Sequence, residues 1–336
     1  MAHSSTPRSL CERYNDECYE SLRGDDRRTS AFLSAIADAA PGRTCLDIGT
    51  GSLALLAVAA AKAGAKHTYA VESNLEAAAA AREVIAAEKL EAAITVIEGF
   101  STDVALPAPV DLLLHEIIGE VAGAEGAAAA FVDALNRHCG GKVPGSVPAR
   151  ARSLLAPAEF PPPEYFAAQP VPLLAEPGTR VLLLPALPPS LCLAPGQPFE
   201  DLKFDASGDD GVHRRLVQSH CLEFEIARAA TLRGLVGWIE IFTADAHAAV
   251  PEITSYGSAR SSWSNVFMLL PEATAVERGD RILVRTHADL AGAVPTYRFD
   301  VALGRDEELH LGSFAYPEAP PPPGGSGEDE CLVEFW

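Results

Sequence analysis

Two glutamates, Glu116 and Glu125, stand nine positions apart in the stretch HEIIGEVAGAE, on either side of Gly119. The formal charge of −20 favours a cationic ligand for the chain as a whole. The aliphatic run before the first glutamate, VDLLLH, is typical of a buried strand, and open α/β folds bind ligands beyond the carboxyl ends of such strands. The pair is therefore a candidate site for a positively charged group, and the alternative is two solvated loop acids.

A second candidate site lies in the segment CLDIGTGSLALLAVAAAKAGA. A strand that ends at Asp47 runs into Gly49 and Gly51 and then into a helix, and glycines at such a turn let the backbone approach a ligand at the helix N-terminus. Glu72 ends the next predicted strand, where an acid can accept hydrogen bonds from ribose hydroxyls. An adenosine-containing cofactor fits this pattern, whereas a nicotinamide dinucleotide is disfavoured because Ala54 replaces the third glycine of GxGxxG.

Composition excludes several classes of function. With 46 acidic residues against 26 basic ones, the chain lacks the basic surface that nucleic acid requires. Its seven cysteines are scattered without a CxxC pair, and no group of histidine, cysteine and aspartate has metal-ligand spacing, so we expect reduced thiols and no metal. We expect no secretory leader, because MAHSSTPRSL lacks a basic start followed by an apolar run, and no apolar stretch reaches membrane-spanning length. We therefore expect a cytoplasmic protein that binds no membrane.

The chain divides into two halves with different residue patterns. From about residue 30 to residue 137, short aliphatic runs alternate with alanine-rich helical stretches, which predicts a parallel sheet with helices on both faces. From about residue 144, proline-rich connections separate stretches of strand-like alternation, such as GLVGWIEIF and RILVRTH, which predict an antiparallel β domain. The last twenty residues, 317–336, are Pro/Gly-rich and acidic, and we expect them to form a flexible tail.

The order of these motifs resembles that of class I S-adenosylmethionine-dependent methyltransferases, and specifically the protein arginine methyltransferase family. The two glutamates of HEIIGEVAGAE match the family's glutamate hairpin after the fourth strand. SSWSNVFML is similar to the family's Thr-His-Trp loop, and YESLRGDDRRTSAF is similar to its cofactor-covering helix. The resemblance runs from about Tyr14 to Phe314 and so covers most of the chain.

The resemblance implies a Rossmann-like, doubly wound α/β methyltransferase domain followed by an antiparallel β-barrel-like domain. On this basis we expect N-terminal helices and the S-adenosylmethionine-binding domain in residues 1–147 and the substrate domain in residues 148–316. The family's helical dimerisation arm corresponds to residues 148–181, which are short and proline-rich here. A homodimer is therefore an open possibility.

The resemblance also implies roles for individual residues. Glu116 and Glu125 would be catalytic, because two carboxylates can grip the fork of N–H groups on a guanidinium and leave one nitrogen in line with the methyl donor. The implied cofactor-binding residues are Arg28, Asp47, Gly49, Gly51, Glu72, Ser101 and Thr102. Within this set Arg28 would bind the cofactor carboxylate, Glu72 the ribose, and Ser101 with Thr102 the adenine. The implied substrate-binding residues are Tyr14, Tyr19 and Trp263, each of which has a packing role as its alternative.

Three residues depart from the family pattern. Leu53 replaces the third glycine of GxGxG, so we expect the loop to bend differently there. Ser262 stands where the family has histidine, and His115 stands where serine is commoner. We interpret His115 as a hydrogen-bonded residue at a strand end.

The expected activity is methyl transfer to a guanidino nitrogen of arginine. The acidic surface suits free L-arginine and an arginine-rich protein segment equally, and family resemblance slightly favours free arginine in natural-product biosynthesis, as in the streptozotocin pathway. Two alternatives stay open at this point. One is a methyltransferase for another amine or hydroxyl, and the other is a catalytically silent relative that binds proteins, as the changes at Leu53 and Ser262 would allow.

Overall fold

A computed structural model describes residues 25–142, 144–168, 180–204, 209–257, 261–304 and 308–316. Tyr14, Tyr19 and the predicted tail of residues 317–336 lie outside these ranges. Within them the α-helices are α1 (Asp26–Ala39), α2 (Leu55–Lys62), α3 (Leu75–Ala87), α4 (Ala127–His138) and α5 (Pro163–Ala167). None of the helices in the described residues is both long enough and apolar enough to cross a membrane.

The first half of the chain builds a five-stranded parallel sheet with the strand order β3-β2-β1-β4-β5. Its strands are β1 (Thr44–Ile48), β2 (His67–Glu72), β3 (Ile94–Glu98), β4 (Leu112–His115) and β5 (Gly145–Val147). β1 and β4 are buried at every position, which is expected for central strands whose two faces are both covered. The predicted alternation of strands and helices is thus confirmed.

The second half forms two antiparallel sheets. One has the order β7-β12-β10-β6-β8, with β11 paired to β10, and the other has the order β15-β14-β13-β9. The strands are β6 (Arg150–Ala158), β7 (Val181–Leu184), β8 (Gln197–Lys203), β9 (Val217–Glu225), β10 (Ala230–Phe242), β11 (Ile253–Thr254), β12 (Asn265–Val276), β13 (Arg281–Asp289), β14 (Thr296–Gly304) and β15 (Glu308–Tyr316). β8 lies beside β9 and β12 lies beside β15, so the two sheets enclose a common core in a barrel-like arrangement.

The two halves share one continuous hydrophobic core. Phe131 of α4 packs against Phe204, which follows β8, with 5.4 Å between ring centroids. The parallel sheet ends at Val147 and the antiparallel strands begin at Arg150. The division at residues 147 and 148 stays a prediction, since the shared core by itself marks no boundary.

Candidate active site

Glu116 emerges from the carboxyl end of β4, next to the glycine loop that follows β1. In the parallel pairing of these two strands His115 is the partner of Ile48, so the loop and the glutamate hairpin leave the sheet at the same level. They are in direct contact, since a Cβ atom added to Gly49 would lie 3.1 Å from the Cγ2 atom of Ile117. The topology therefore brings the two predicted sites together at one edge of the sheet, as expected for a ligand site in an open α/β fold.

The glycine loop turns around a buried carboxylate. Asp47 is 0% exposed, and its Oδ2 atom accepts hydrogen bonds from Thr50 Oγ1 at 2.6 Å and from the backbone N–H of Ala57 at 3.1 Å. Its Oδ1 atom is buried without a hydrogen-bond partner among the described residues. Gly49 and Gly51 have φ values of +73° and +65°, the left-handed region that favours glycine. The loop thus presents a bent backbone and an unused buried acceptor, which fits a ligand that carries hydrogen-bond donors.

The sharp bend of the loop extends to Ala54. This residue has a φ of +44° and precedes the first turn of α2, where no side chain caps the helix. The left-handed residue at this end of the loop is therefore Ala54, the neighbour of Leu53. Alanine rarely adopts this conformation, so the sequence carries little signal for the bend.

Glu72 holds the glycine loop against the end of β2. Its carboxylate is 6% exposed and accepts hydrogen bonds from the backbone N–H groups of Gly51 at 2.9 Å and Asn74 at 2.8 Å. Each carboxylate oxygen can accept more than one hydrogen bond, so these contacts leave capacity for a ribose hydroxyl.

The two residues implied for the adenine lie near Glu72 at the same edge. Ser101 and Thr102 follow β3, and Gly99 donates a hydrogen bond from its backbone N–H to the carbonyl of Glu72 at 2.8 Å. Arg137 fixes this turn by donating to the carbonyl of Ser101 at 2.6 Å. Both residues thus follow the end of β3, where Glu98 is the register partner of Glu72.

Arg28 and Glu116 form a buried ion pair. The guanidinium Nη2 of Arg28 donates to Glu116 Oε2, and the two side chains are 7% and 13% exposed. The indole of Trp263 lies beside the guanidinium, with 5.5 Å from the Arg28 Cζ atom to the ring centroid. The Nε1–H of Trp263 donates to the carbonyl of Ile118 at 2.7 Å. Trp263 therefore lines the site and also anchors the glutamate hairpin.

Burial raises the pKa of Glu116, and the charge and hydrogen bond of Arg28 oppose that rise. This carboxylate consequently depends on a positively charged partner to remain ionised. A group that holds one guanidinium in this way has the chemistry to hold a second one from a substrate.

Asp25 is a residue of this site that sequence analysis missed. Its carboxylate caps α1 by accepting from the backbone N–H of Arg28 at 3.0 Å, and it also accepts from the N–H and the hydroxyl of Ser262 at 2.9 and 3.2 Å. Asp25 thereby ties the start of α1 to the loop that carries Trp263. An aspartate immediately before a helix is a known N-cap signal, which could have identified it.

Glu125 occupies the far side of the hairpin. A Cβ atom at Gly119 would lie 3.4 Å from the Cγ atom of Glu125, so the hairpin folds back until the Glu125 side chain covers this glycine. Gly126 follows with a φ of +86° and is the N-cap of α4. The structure thus places both predicted catalytic glutamates on one compact hairpin.

The interpretation of His115 as hydrogen-bonded is wrong for the described residues. Both ring nitrogens are buried without a hydrogen-bond partner there, and the ring packs edge-on against Phe204 with 4.5 Å between centroids. Burial lowers the pKa of His115 to about 3, so the ring is neutral at physiological pH. The β domain supplies this apolar neighbour, which a local sequence pattern does not reveal.

The buried carboxylate of Asp47 predicts a pH-dependent cost in stability. Burial raises its pKa from 3.8 to about 7. A raised pKa means that the contribution of Asp47 to stability is fully present below pH 3.8 and is lost as the pH rises through about 7. Asp47→Asn keeps an acceptor for Thr50 and Ala57, so we expect it to raise the unfolding free energy at pH 8 by roughly 2–4 kcal/mol while weakening cofactor binding.

Thermal unfolding of the protein without added cofactor at pH 5 and pH 8 checks this prediction. The gain from Asp47→Asn should be larger at pH 8, and an equal gain at both pH values would contradict it. Asp38→Asn is the matched control, because Asp38 is exposed on α1.

The sequence is similar to those of known methyltransferases. Residues 24–124 match the family model described as Ribosomal protein L11 methyltransferase (PrmA), a match that ends one residue before Glu125. The probable histone-arginine methyltransferase 1.3 of Arabidopsis thaliana is 27% identical over 307 residues, which cover 84% of this chain and 56% of that protein. The chain thus spans about half the length of this relative. The arginine N(omega)-methyltransferase of Streptomyces achromogenes subsp. streptozoticus is 42% identical over 102 residues, 29% of this chain and 28% of that protein.

Solved structures show the same fold. Protein arginine methyltransferase 10 of Arabidopsis thaliana superposes with a TM-score of 0.73 at 19% identity and covers 91% of this chain and 98% of that one. The Trypanosoma brucei PRMT1 enzyme-prozyme heterotetrameric complex with AdoHcy superposes with a TM-score of 0.69 at 18% identity and covers 88% of this chain and 97% of that one. The predicted α/β fold with a second, antiparallel β domain is confirmed. The predicted resemblance is likewise confirmed, because this chain is similar to protein arginine methyltransferases in both sequence and fold.

Proposed function

We propose that this protein transfers a methyl group from S-adenosylmethionine to a guanidino nitrogen of arginine. The observation that carries the proposal is the direct contact between the glycine loop and a hairpin whose Glu116 holds a guanidinium, that of Arg28. The similarity to a probable histone-arginine methyltransferase and to an arginine N(omega)-methyltransferase supports it. S-adenosylmethionine, when bound, supplies an electrophilic methyl group on a positively charged sulfur that leaves as a neutral thioether.

The residues of the glycine loop fit such a cofactor. The unused Oδ1 atom of Asp47 and the left-handed backbone of Gly49 and Gly51 offer an acceptor and a close approach. Glu72 would accept from ribose hydroxyls, Ser101 and Thr102 would border the adenine, and Arg28 would bind the carboxylate of the methionine moiety. These roles, like those of Tyr14 and Tyr19 beyond the described residues, are part of the proposal.

Glu116 and Glu125 would then orient the arginine. Paired, charge-assisted hydrogen bonds from its guanidinium to the two carboxylates draw positive charge away from the remaining nitrogen and aim it at the methyl carbon. The C–S bond of the donor would break as the new C–N bond forms, and the methylated nitrogen would give up one proton. A carboxylate of the glutamate pair would accept that proton as a general base. Trp263 would exclude water from this step.

Free L-arginine is the favoured substrate within this proposal, in a biosynthetic pathway for a small molecule. The 42% identity to the Streptomyces arginine N(omega)-methyltransferase supports this choice, although it spans only 102 residues. An arginine-rich protein segment is the second candidate, favoured by the longer alignment to a probable histone-arginine methyltransferase. The formal charge of −20 would attract either cation. The cytoplasmic location and a homodimer remain predictions.

Mass spectrometry of competing substrates separates these candidates. The full chain is incubated with S-adenosylmethionine and, in parallel, with L-arginine, its decarboxylated analogue agmatine, an arginine-and-glycine-rich peptide or L-lysine. We expect the mass of L-arginine to increase by one or more methylations. The mass of L-lysine should stay unchanged, because lysine lacks the guanidinium fork. Methylation of the peptide alone would assign the protein to the second candidate. Methylation of lysine, or of no guanidine compound, would contradict the proposed function.

A further inference from the structure

Glu200 is a fully buried carboxylate of the β domain that the proposed chemistry does not use. It lies on β8, is 0% exposed, and among the described residues all three of its hydrogen-bond partners are uncharged donors. Oε2 accepts from the Ser153 hydroxyl at 2.6 Å and from the backbone N–H of Gly123 at 3.2 Å, and Oε1 accepts from the Tyr297 hydroxyl at 2.7 Å. The carboxylate therefore connects β6, β8 and β14 to the glutamate hairpin.

Ser153 extends the connection by one residue along the hairpin. Its Oγ atom, while donating to Glu200, accepts from the backbone N–H of Ala122 at 2.8 Å. Two consecutive amides of the hairpin, those of Ala122 and Gly123, thus end on a single cluster of barrel side chains. Gly123 stands two positions before Glu125 in the sequence.

The hairpin backbone lies close to this cluster at Gly123. A Cβ atom on Gly123 would overlap Glu200 Oε1 and would lie 2.8 Å from the Tyr297 hydroxyl. Only glycine allows this approach, because any side chain at position 123 would collide with the Glu200 carboxylate.

Packing and hydrogen bonds act together on the hairpin. Val121 and Ala122 are 5% and 0% exposed and belong to the shared hydrophobic core. The hydrogen bonds from Ala122 and Gly123 add a fixed direction to this packing, because hydrogen bonds constrain angles as well as distances.

Burial of this cluster costs free energy. Burial raises the pKa of Glu200, opposed by the hydrogen bonds from Ser153 and Tyr297, and burial also raises the pKa of Tyr297. A buried carboxylate without a cation is tolerated only when its hydrogen bonds are satisfied. One of the donors that satisfy Glu200 is the backbone N–H of Gly123 in the hairpin.

We infer that Glu200, Ser153 and Tyr297 form a positioning cluster, which sets the place of Glu125 by holding the backbone amides of Ala122 and Gly123. The cluster touches neither the cofactor nor the arginine of the proposed reaction. The expected effect of the cluster on turnover rests on the proposed function. The hydrogen bonds by which the cluster holds the hairpin do not depend on that function, so the two claims can be tested separately.

Hydrogen–deuterium exchange tests whether the cluster holds the hairpin, without any assay of activity. Ser153→Ala removes both the donor to Glu200 and the acceptor for Ala122, so we expect peptides covering residues 115–126 to exchange about tenfold faster. Peptides covering residues 44–56, the glycine loop, should be unchanged. Ser255→Ala is the matched control, because Ser255 is equally buried at 1%, accepts from the backbone N–H of Ile239, and lies in the same domain. Equal exchange of the hairpin in both variants would overturn the inference.

Kinetics test the consequence for Glu125. We expect Ser153→Ala to lower kcat for arginine methylation about tenfold, while the Kd of S-adenosylhomocysteine stays within about twofold of the wild-type value. In a Glu125→Gln background, Ser153→Ala should add less than about a twofold loss, because the residue that it positions is already disabled. A full additional loss there would show general destabilisation instead of positioning.

Conservative variants of Glu200 complete the design. Glu200→Gln keeps an acceptor for Ser153 and Gly123 and can donate to the Tyr297 oxygen, so we expect near wild-type exchange and turnover. Tyr297→Phe removes one donor and should fall between wild type and Ser153→Ala. A loss in Glu200→Gln as large as in Ser153→Ala would contradict the hydrogen-bond account. A wild-type protein that methylates no guanidine would defeat the proposed function alone, since the exchange result would still decide whether the cluster holds the hairpin.

Discussion

Glu116→Gln is expected to lower turnover on arginine on the order of 10³-fold while leaving the affinity for S-adenosylhomocysteine nearly unchanged. The carboxylate side chain is only 13% exposed, and in such a site removal of one member of a charged pair typically costs several kcal/mol. Glutamine keeps the shape and one acceptor for Arg28, so the fold should persist. What it loses is the negative charge that would grip and polarise the substrate guanidinium.

Glu125→Gln should show a loss of the same order, because both carboxylates are needed to fix the planar fork. Turnover is measured by mass spectrometry, and affinity for the cofactor product by calorimetry. The matched control is Glu83→Gln, since Glu83 is exposed on α3, away from the hairpin. Full activity in either hairpin variant would show that the glutamate pair is incidental and would favour a methyltransferase for another nucleophile.

The parallel sheet could be predicted because its signals are local. Short apolar strands such as TCLDI and LLLH alternate with alanine-rich helices, and their burial on both faces follows from that pattern. The antiparallel strands were predicted from alternation in the same way, and GLVGWIEIF lies within β10 as expected. Family resemblance added the roles of the motifs, which spacing alone does not determine.

The contacts that build the site could not be predicted in this way. Arg28 and Glu116 are 88 positions apart, and their pairing depends on how α1 packs over the sheet edge. Their meeting adds a contact with a catalytic candidate to the proposed role of Arg28 in binding the cofactor. Glu200 gave no signal, since a single glutamate in QPFEDLK is typical of an exposed strand position. Long-range packing determines both contacts.

Arg28→Lys is expected to raise the Kd of S-adenosylmethionine about 100-fold, equivalent to about 2.7 kcal/mol. It is also expected to lower turnover. The Arg28 side chain is 7% exposed, donates to Glu116 and lies 5.5 Å from the Trp263 ring. In the proposed function it binds the cofactor carboxylate as well. A guanidinium has five donors in a planar fork and can serve two carboxylates at once, whereas a lysine ammonium is a point charge that cannot match both geometries.

The decisive comparison is with Arg27→Lys on the neighbouring position of α1. Arg27 is exposed and donates only to the carbonyl of Glu252 at 2.9 Å among the contacts seen in the described residues, so its variant should bind cofactor as the wild type does. Calorimetry gives the Kd of each variant, and turnover at saturating cofactor separates binding from chemistry. A normal Kd with reduced turnover in Arg28→Lys would mean that Arg28 acts through Glu116 alone, and the cofactor carboxylate would need another partner. A raised Kd together with reduced turnover at saturation would mean that Arg28 serves both the cofactor carboxylate and Glu116, so that the methyl donor and the substrate clamp are organised by the same side chain.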